Sequence, residues 1–450
     1  MTLQQFYEGI LAFHPVARQA NLLPLEAKQL LREARGNFDP KVEIDFSRKF
    51  FADKTYYNFW DSYLKAPILP LGAELKAGYE RNISDFPDLG PDYETPFDGL
   101  AYAGISLPIG QGLIIDARRN TLRQAEIYQG IADAERAKFI NKLIFSAAKD
   151  YWNWYFAQRQ LKLVQEGYNL ADVRFRAIRE RALAEEAAPI DTTEALITLQ
   201  DREVQLLEAA LALQNARIIV SNYLWDNARN PMELAPNVIP DSVLVAAQRY
   251  NEASLQSLLV QAENQHPEVM KFTLKSQQLG IEQRFRREML KPQLNVSYNY
   301  LTYYPNLKSP IGSDNWNMFS QNYKVGMDFS FPVFLRKERG KLQQVKIKLL
   351  QNEFDLSQTR REILNEIRAA YNQLKNLEQQ MQVLEQQTIN QARLVEAEYQ
   401  KFELGESTLF LINTRENKLI DFRIKLESLK TKYEKALAEI IFAAGAYQLP

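Results

Sequence analysis

The chain has 450 residues, and its 55 Lys and Arg residues nearly balance its 56 Asp and Glu residues, for a net charge of −1. This balance gives no reason to expect a nucleic-acid partner or an anionic surface. The absence of cysteine excludes disulfides, thiolate nucleophiles, cysteine metal ligands and a lipidated N-terminal cysteine. No run approaches the roughly 20 apolar residues of a membrane-spanning helix, and "MTLQQFYEGI" does not have the pattern of a signal peptide.

The two histidines of the chain, His14 and His266, are each followed by proline and lie 252 positions apart (266 minus 14). In this register "PKVEIDF" aligns with "PQLNVSY", which predicts an internal repeat. Proline suits the first turn of a helix, so each His-Pro is interpreted as a helix start, with helices at about 15–37 and 267–290. A metal or acid–base site is the disfavoured alternative, because neither histidine has further ligands at metal-site spacing.

Alternating apolar and polar residues predict strands after each of these helices. The clearest segments are "LGAELKAGYE" and "LAYAGISLP" in the first half, and "QLNVSYNYL" and "NYKVGMDFSFPVF" in the second. Period-two alternation gives one apolar and one polar face. A half-buried sheet of a soluble protein and a membrane β-barrel, apolar toward lipid and polar toward a lumen, both fit. "DPKVEIDFSRKF" also alternates, so the strand count of the first half stays open, with 51–70 as a candidate insertion.

A long helical hairpin follows the strands in each half. The first runs from about 113 to a break at "AEEAAPID" and returns to about 225. The second runs with coiled-coil-like apolar spacing to a break at "FELGEST" and returns to about 443. At 1.5 Å per residue, its outgoing helix is about 100 Å long. The predicted organisation is a first repeat (1–225), a proline-rich connector (226–262) and a second repeat (263–450).

The predicted chain is not expected to be a monomer. Four or five strands cannot close a membrane barrel, which needs at least eight, and lipid does not tolerate open sheet edges. Four long helices with narrow apolar seams form a wall rather than a filled bundle. The predicted fold class is therefore mainly α with a membrane β-barrel portion. Each repeat contributes a strand pair and a helical hairpin to this fold. Three copies of the chain then give a 12-strand β-barrel and a 12-helix α-barrel.

The order helix, strands, long helix, turn and helix, present twice, resembles the TolC-family outer-membrane efflux proteins over nearly the whole chain. "KFELGES" is similar to the family's R-Y-x-x-G hairpin-tip motif, with Lys401, Phe402 and Gly405 at the three defined positions. "RALAEEAAPIDTTEA" is similar to the same motif in the first half. There Arg181 matches, alanine replaces the aromatic residue and Glu185 replaces the glycine. "LWDNARNPMEL" is similar to the family's connector.

The resemblance implies a homotrimeric outer-membrane channel that extends into the periplasm and accepts cargo from an inner-membrane transporter through a periplasmic adaptor. The channel would be a passive duct closed at its helical tips, with no catalysis and no cofactor. The exported cargo would be small molecules such as drugs or metals. A type I protein-secretion duct of the same fold and a soluble coiled-coil scaffold are the alternatives. The adaptor-docking residues implied by the tip motifs are Ala184, Glu185, Glu186, Ala187, Leu404, Gly405, Glu406 and Ser407.

Family members often carry acidic residues six and nine positions after the tip glycine, where they narrow the pore. In the second half these positions are Leu411 and Thr414, and in the first half they are Asp191 and Glu194. The expected constriction is therefore apolar at Leu411, with Phe410 beside it, and acidic at the other two positions. An N-terminal cap on the returning helix is the alternative role of Asp191.

Two further segments have plainer interpretations. The basic stretch "RFRAIRER" at 174–181 is interpreted as a solvated helix face rather than a docking patch. The aromatic stretch "YWNWYF" at 151–156 is interpreted as packing between helices rather than a ligand shelf. An enzyme is disfavoured, because "LPIGQGLIID" lacks the lysine and hydroxyl residue of a phosphate-binding loop.

Overall fold

The computed structural model describes residues 1–86, 95–185, 188–241, 251–304 and 322–445. The chain divides into two compact units. The first, called the helical unit, comprises Met1–Leu23, Asp133–Met270 and Ser357–Pro450. The second, called the sheet unit, comprises Pro24–Ala132 and Lys271–Leu356.

The order of elements in the described residues is nearly the same in the two halves of the chain, as the internal repeat predicts. The elements of the first half are α1 (Leu3–Phe13), α2 (Pro15–Gly36), β1 (Lys41–Phe51), β2 (Lys54–Pro67), β3 (Glu74–Ile83), β4 (Leu100–Pro108), α3 (Ala117–Leu183) and α4 (Pro189–Ser221). Those of the second half are α5 (Glu252–Gln265), α6 (Pro267–Glu288), β5 (Gln293–Tyr303), β6 (Tyr323–Ser330), α7 (Arg336–Glu403) and α8 (Leu409–Ala443). The short helices α1 and α5 were not expected, and α5 begins inside the predicted connector.

Both His-Pro pairs start a helix, as predicted. Helix α2 begins at Pro15 and α6 at Pro267. Each histidine Nδ1 accepts a hydrogen bond from the backbone N–H two residues later, at 3.1 Å for His14 and 3.2 Å for His266. Each also ends the preceding helix in extended conformation, with ψ of 132°. The two residues are therefore the same capping device used twice. Among the described residues, no cluster of three or more His, Asp or Glu is placed to hold a metal ion.

One six-stranded antiparallel sheet, in the order β1-β2-β3-β4-β5-β6, forms most of the sheet unit. The second half contributes the expected strand pair, but the first half contributes four strands. The expected strand pair in the first repeat is therefore wrong, and most of the segment considered as an insertion is strand β2. Strand β3 begins at Glu74, because Leu71 lies in a tight turn with φ of 66°. Large parts of the two loops predicted at 81–98 and 303–321 lie outside the described residues.

The core of the helical unit is built around the aromatic stretch of α3. Trp154 and Tyr151 are among the largest fully buried side chains, together with Phe6 and Ile10 of α1. The rings of Phe6 and Tyr151 have centroids 5.8 Å apart, and the Tyr151 hydroxyl donates to the Met1 carbonyl at 2.9 Å. The interpretation of "YWNWYF" as packing is confirmed. The unexpected helix α1 covers this core.

No helix within the described ranges is both long enough and apolar enough to span a membrane.

The paired histidine caps predict a specific pH dependence of stability. Burial lowers the pKa of both His14 and His266. Each imidazole therefore contributes stability above the unfolded-state pKa of 6.5, and this stability is lost as the pH falls, since a protonated Nδ1 cannot accept a hydrogen bond. The variant with His14→Asn and His266→Asn keeps an acceptor that does not titrate. Between pH 7.5 and 5.5, its melting temperature, followed by the helical circular-dichroism signal, should fall less than that of the wild type.

The matched control for this comparison is the variant with His14→Ala and His266→Ala. Loss of a capping acceptor costs about 1 kcal/mol per helix, so this variant should already be destabilised at pH 7.5. Equal pH slopes for the wild type and the asparagine variant would refute the assignment of the histidines as titrating caps.

Candidate functional site

The sheet has one apolar and one polar face over all six strands. Strand register places Val42 opposite Leu64, Leu75 opposite Ile105 and Val296 opposite Met327 on the same face. Several of these side chains are largely exposed in a single chain, including Val42 at 73% and Met327 at 70%. Large apolar side chains arranged in rows and left open to the exterior are typical of a surface that contacts lipid.

The opposite face is polar, and its contacts show that the sheet curls around it. The Tyr102 hydroxyl on β4 donates to Asp61 on β2 at 2.9 Å, passing over β3. The Lys324 ammonium on β6 is 3.0 Å from Glu80 on β3, passing over β4 and β5. Such bonds between non-adjacent strands require the polar side to be concave, because neighbouring strands lie about 4.8 Å apart. The charged side chains therefore point toward the inside of the curl, as in a water-filled lumen.

At the end of α7 in the helical unit, the turn has the geometry that the tip motif predicts. Gly405 has φ of 76°, and its N–H bonds the carbonyl of Phe402 at 3.0 Å. The N–H of Glu406 bonds the carbonyl of Lys401 at 2.8 Å. These two bonds form a Schellman motif, the common helix ending that favours glycine in the left-handed region. The side chain of Thr408 then caps α8 by accepting from the N–H of Leu411.

At the end of α3, the turn uses the same backbone position without a glycine. Glu185 has φ of 61°, which confirms that it occupies the place of Gly405. The N–H of Ala184 bonds Glu180 at 3.1 Å and that of Glu185 bonds Ala182 at 3.2 Å. A left-handed conformation costs a non-glycine residue about 1 kcal/mol. Two other predicted docking residues, Glu186 and Ala187, lie outside the described residues.

The predicted constriction residues occupy the first turns of the two returning helices. Phe410 and Leu411 are 63% and 40% exposed on α8. The Thr414 hydroxyl donates to the Phe410 carbonyl at 2.8 Å, so it is engaged within its own helix. Asp191 and Glu194 are half-buried on α4. The N-cap of α4 is Ala188, not Asp191. The Asp191 carboxylate lies in the first turn, where its negative charge interacts favourably with the helix dipole.

A partly buried polar network near the tips was not predicted. The Arg174 guanidinium donates to Asn413, Tyr399 and Glu416, each at 2.6 Å, and so joins α3, α7 and α8. The Asn413 amide extends the network to α4 by donating to Thr198 at 3.4 Å. The stretch "RFRAIRER" was interpreted as a solvated helix face. This interpretation is wrong for Arg174, whereas the Arg176 side chain is 71% exposed.

Electrostatics strengthens this network. Burial alone would lower the pKa of Arg174, but the hydrogen bond and charge of Glu416 outweigh burial and raise it. Burial and the same carboxylate raise the pKa of Tyr399 to about 12. Arginine and tyrosine therefore keep their protons at neutral pH and act as donors to one buried carboxylate. The sequence signal that points to this network is the pair of polar residues at 413 and 416, which interrupts the apolar seam of α8.

A second polar contact fixes the second-half turn to α7. The Ser407 hydroxyl and the Arg415 guanidinium each donate to the Glu398 carboxylate at 2.5 Å. These hydrogen bonds, with the charge of Arg415, lower the pKa of Glu398. Nearby, Leu409 is buried against Ile178 and Ala195. The tips are thus held by one apolar cluster and two charged contacts, all within one chain.

Comparison with known proteins agrees with this geometry. Residues 258–446 match the family model described as outer membrane efflux protein. The cobalt-zinc-cadmium resistance protein CzcC of Cupriavidus metallidurans is 27% identical over a region that covers 37% of this chain. That region spans 43% of the relative's own length.

Solved structures share the fold over nearly the whole chain. The outer membrane channel MtrE of Neisseria gonorrhoeae has a TM-score of 0.69 at 14% identity, covering 98% of this chain and 88% of its own. The outer membrane channel CmeC of Campylobacter jejuni has a TM-score of 0.66 at 14% identity, covering 99% and 85%. At such identities the likeness establishes the fold, which is that of a TolC-like outer-membrane channel.

The sequence match over the second half is a similarity to the outer membrane efflux proteins, the family that the tip and connector motifs also resemble. This is a family of efflux channels rather than enzymes.

The Arg174 network predicts a local effect on tip stability. Arg174→Ala leaves the Glu416 carboxylate, whose side chain is only 12% exposed, without its cation, which costs about 3 kcal/mol. Hydrogen exchange of the amides at 409–417 should therefore accelerate about 100-fold. Arg176→Ala removes an exposed ion pair on the same helix, at 2.8 Å from Asp172, and should change exchange little. Equal effects of the two substitutions would show that the network does not hold the tip.

The two tip turns predict opposite responses to matched substitutions. Gly405→Ala places a side chain at a left-handed φ and should destabilise its turn by about 1 kcal/mol. Glu185→Gly relieves the same strain and should stabilise the other turn by a similar amount. Hydrogen exchange of the turn amides measures both. The same direction of change in the two variants would contradict the structural equivalence of the turns.

Proposed function

We propose that the protein is a homotrimeric channel that exports small molecules across the periplasm and outer membrane, receiving them from an inner-membrane transporter through a periplasmic adaptor. The observation that carries this proposal is the curled sheet with its apolar face outside and its charged face inside. One chain supplies only part of a closed wall, so further copies must complete it. Energy would come from the transporter, because the duct itself needs no chemistry.

The helical tips are proposed as the docking and gating end. Leu404, Gly405, Glu406 and Ser407 surround an open turn, and a Cβ built on Gly405 would meet nothing within 4 Å. A partner helix can therefore approach the backbone closely at this point. The matching docking surface of the first half would be Ala184–Ala187. The adaptor would act on tips that are held shut from behind by the Arg174 network.

The proposed constriction combines two chemistries. Phe410 and Leu411 supply exposed apolar side chains, which favour closure by expulsion of water. Asp191 and Glu194 supply carboxylates, which favour cations over anions. Thr414 adds little, because its hydroxyl is already bonded within α8. The family's acidic ring is thus replaced in the second half by an apolar ring.

Toxic small molecules, including divalent metal ions, are the proposed cargo. Support comes from the partial sequence similarity to CzcC, whose name describes cobalt, zinc and cadmium resistance. A protein-secretion duct of the same fold has no feature of the described residues in its favour. Disruption of the gene in its native host should therefore increase sensitivity to cobalt, zinc or cadmium salts. Unchanged tolerance of these ions would refute the metal part of the proposal and leave the duct standing.

The gating proposal is tested by single-channel conductance in planar bilayers. Leu411→Ala and Phe410→Ala should each raise the conductance of the closed channel several-fold, because they remove apolar bulk from the constriction. Val383→Ala is the control, since Val383 is 69% exposed, at least as exposed as Phe410 and Leu411, but lies on α7 away from the tip in sequence. Unaltered conductance in both tip variants would place the constriction elsewhere.

The acidic part of the constriction has its own readout, ion selectivity. Asp191→Asn and Glu194→Gln, made together, should reduce the preference for cations without changing closed-state conductance as strongly. The reversal potential in a salt gradient measures this preference. A reversal potential identical to that of the wild type would show that neither carboxylate lines the pore. Asp191 would then have only its role in the first turn of α4.

A further inference from the structure

The hairpin of β1 and β2 is the part of the sheet that the expected strand pairs do not account for. It lies at one end of the sheet, so β1 and β6 are the two edge strands. Nearly all residues of both edges are exposed in a single chain. Within the described ranges, no strand lies on the outer side of β1 or β6, so alternate residues of each edge direct their backbone N–H and C=O groups away from the sheet.

The hairpin is an integral part of the membrane sheet rather than an appended flap. Strand β2 pairs with β3 in continuous register from Asn58 to Pro67. On the polar side, Asp61 accepts from Tyr102 of β4. On the apolar side, the rings of Phe46 and Trp60 have centroids 5.9 Å apart. The apolar face and the polar face therefore both continue without interruption to the β1 edge.

We infer that β1 of one copy pairs antiparallel with β6 of a second copy, so that three copies close an 18-strand barrel. This inference rests on the trimeric duct proposed above. Three physical conditions favour this closure. Lipid does not tolerate an open edge, an even number of strands makes β1 and β6 run in opposite directions, and 18 is an allowed strand number.

The side chains at the two edges suit each other on both faces. On the polar face, β1 carries Lys41, Glu43 and Asp45, and β6 carries Lys324 and Asp328, so both edges continue the charged face of the sheet. On the apolar face, Ile44 would lie among the β6 residues Val325, Met327 and Phe329. Pairing in this sense keeps every apolar row on the lipid side and every charged row on the lumen side.

The additional hairpin widens the barrel relative to the 12 strands expected from one strand pair per repeat in three copies. Barrel diameter grows roughly linearly with strand number, so 18 strands give a wall about 1.5 times as wide. Barrels of 16 to 18 strands leave an aqueous channel.

Disulfide cross-linking tests this closure, because the natural chain has no cysteine to interfere. Ile44→Cys is combined in one chain with Val325→Cys, Met327→Cys or Phe329→Cys, which together sample the registers available on the apolar face. Oxidation of the purified full-length trimer should give covalent dimers and trimers on non-reducing gels for at least one combination. Glu43→Cys with Met327→Cys is the matched control, since these residues lie on opposite faces and should not cross-link.

The competing closure places β3, not β1, against β6 and leaves the hairpin outside the barrel. Leu75→Cys with the same three β6 positions detects it. Cross-links from Leu75, or an intact trimer with no cross-link from Ile44, would overturn the inference. A second set on the lumen face, Glu43→Cys with Lys324→Cys or Asp328→Cys, guards against a folding defect at the lipid face. A protein that is not a trimer before oxidation would instead refute the proposed duct itself.

Discussion

The hydrogen-bonding requirement of the backbone in lipid is the constraint on which the rest of the structure depends. A polypeptide segment in the hydrocarbon region has to pair every N–H and C=O group, and an open sheet cannot do so at its edges. The six strands in the part of the chain that the structure describes satisfy this requirement along five interfaces and leave two edges. In the proposed channel, closure of those edges requires further copies of the chain and turns the charged face of the sheet toward a lumen.

The proposed channel places a different requirement on the helical unit, because its tips would have to be closed at rest and still able to open. The apolar cluster around Leu409 can pack with the helices in many arrangements. The hydrogen bonds of Arg174 with Glu416 and Tyr399 form in only one arrangement of these helices. Breaking only some hydrogen bonds of such a network leaves polar groups without partners, which costs more free energy than keeping all of them or separating the groups into water. The network therefore favours two discrete states of the tip, fully bonded or fully separated, over intermediate ones. Such a device suits a gate that a docking partner has to switch.

Local periodicity explains what the sequence could predict. The start of α2 after His14, the long proline-free helices and the alternating strands all depend on neighbours within a few residues. The sequence does not decide whether 51–70 contains a strand, because prolines lie at the end of the segment and its strand structure depends on pairing with β3. The burial of Arg174 was missed for the same reason, since its partner Glu416 lies 242 residues away. At the tip, the motif located Gly405, but the left-handed backbone of Glu185 became visible only in the structure.

The central claim is that one chain is a third of a membrane-embedded wall, and the mass of the assembly tests this most directly. The protein should require detergent for extraction from the outer membrane. In mild detergent, unheated samples should contain a species with three times the 52.2 kDa of one chain, and heating should dissociate it. A protein that is soluble without detergent as a monomer or dimer would contradict the account and favour a helical scaffold instead.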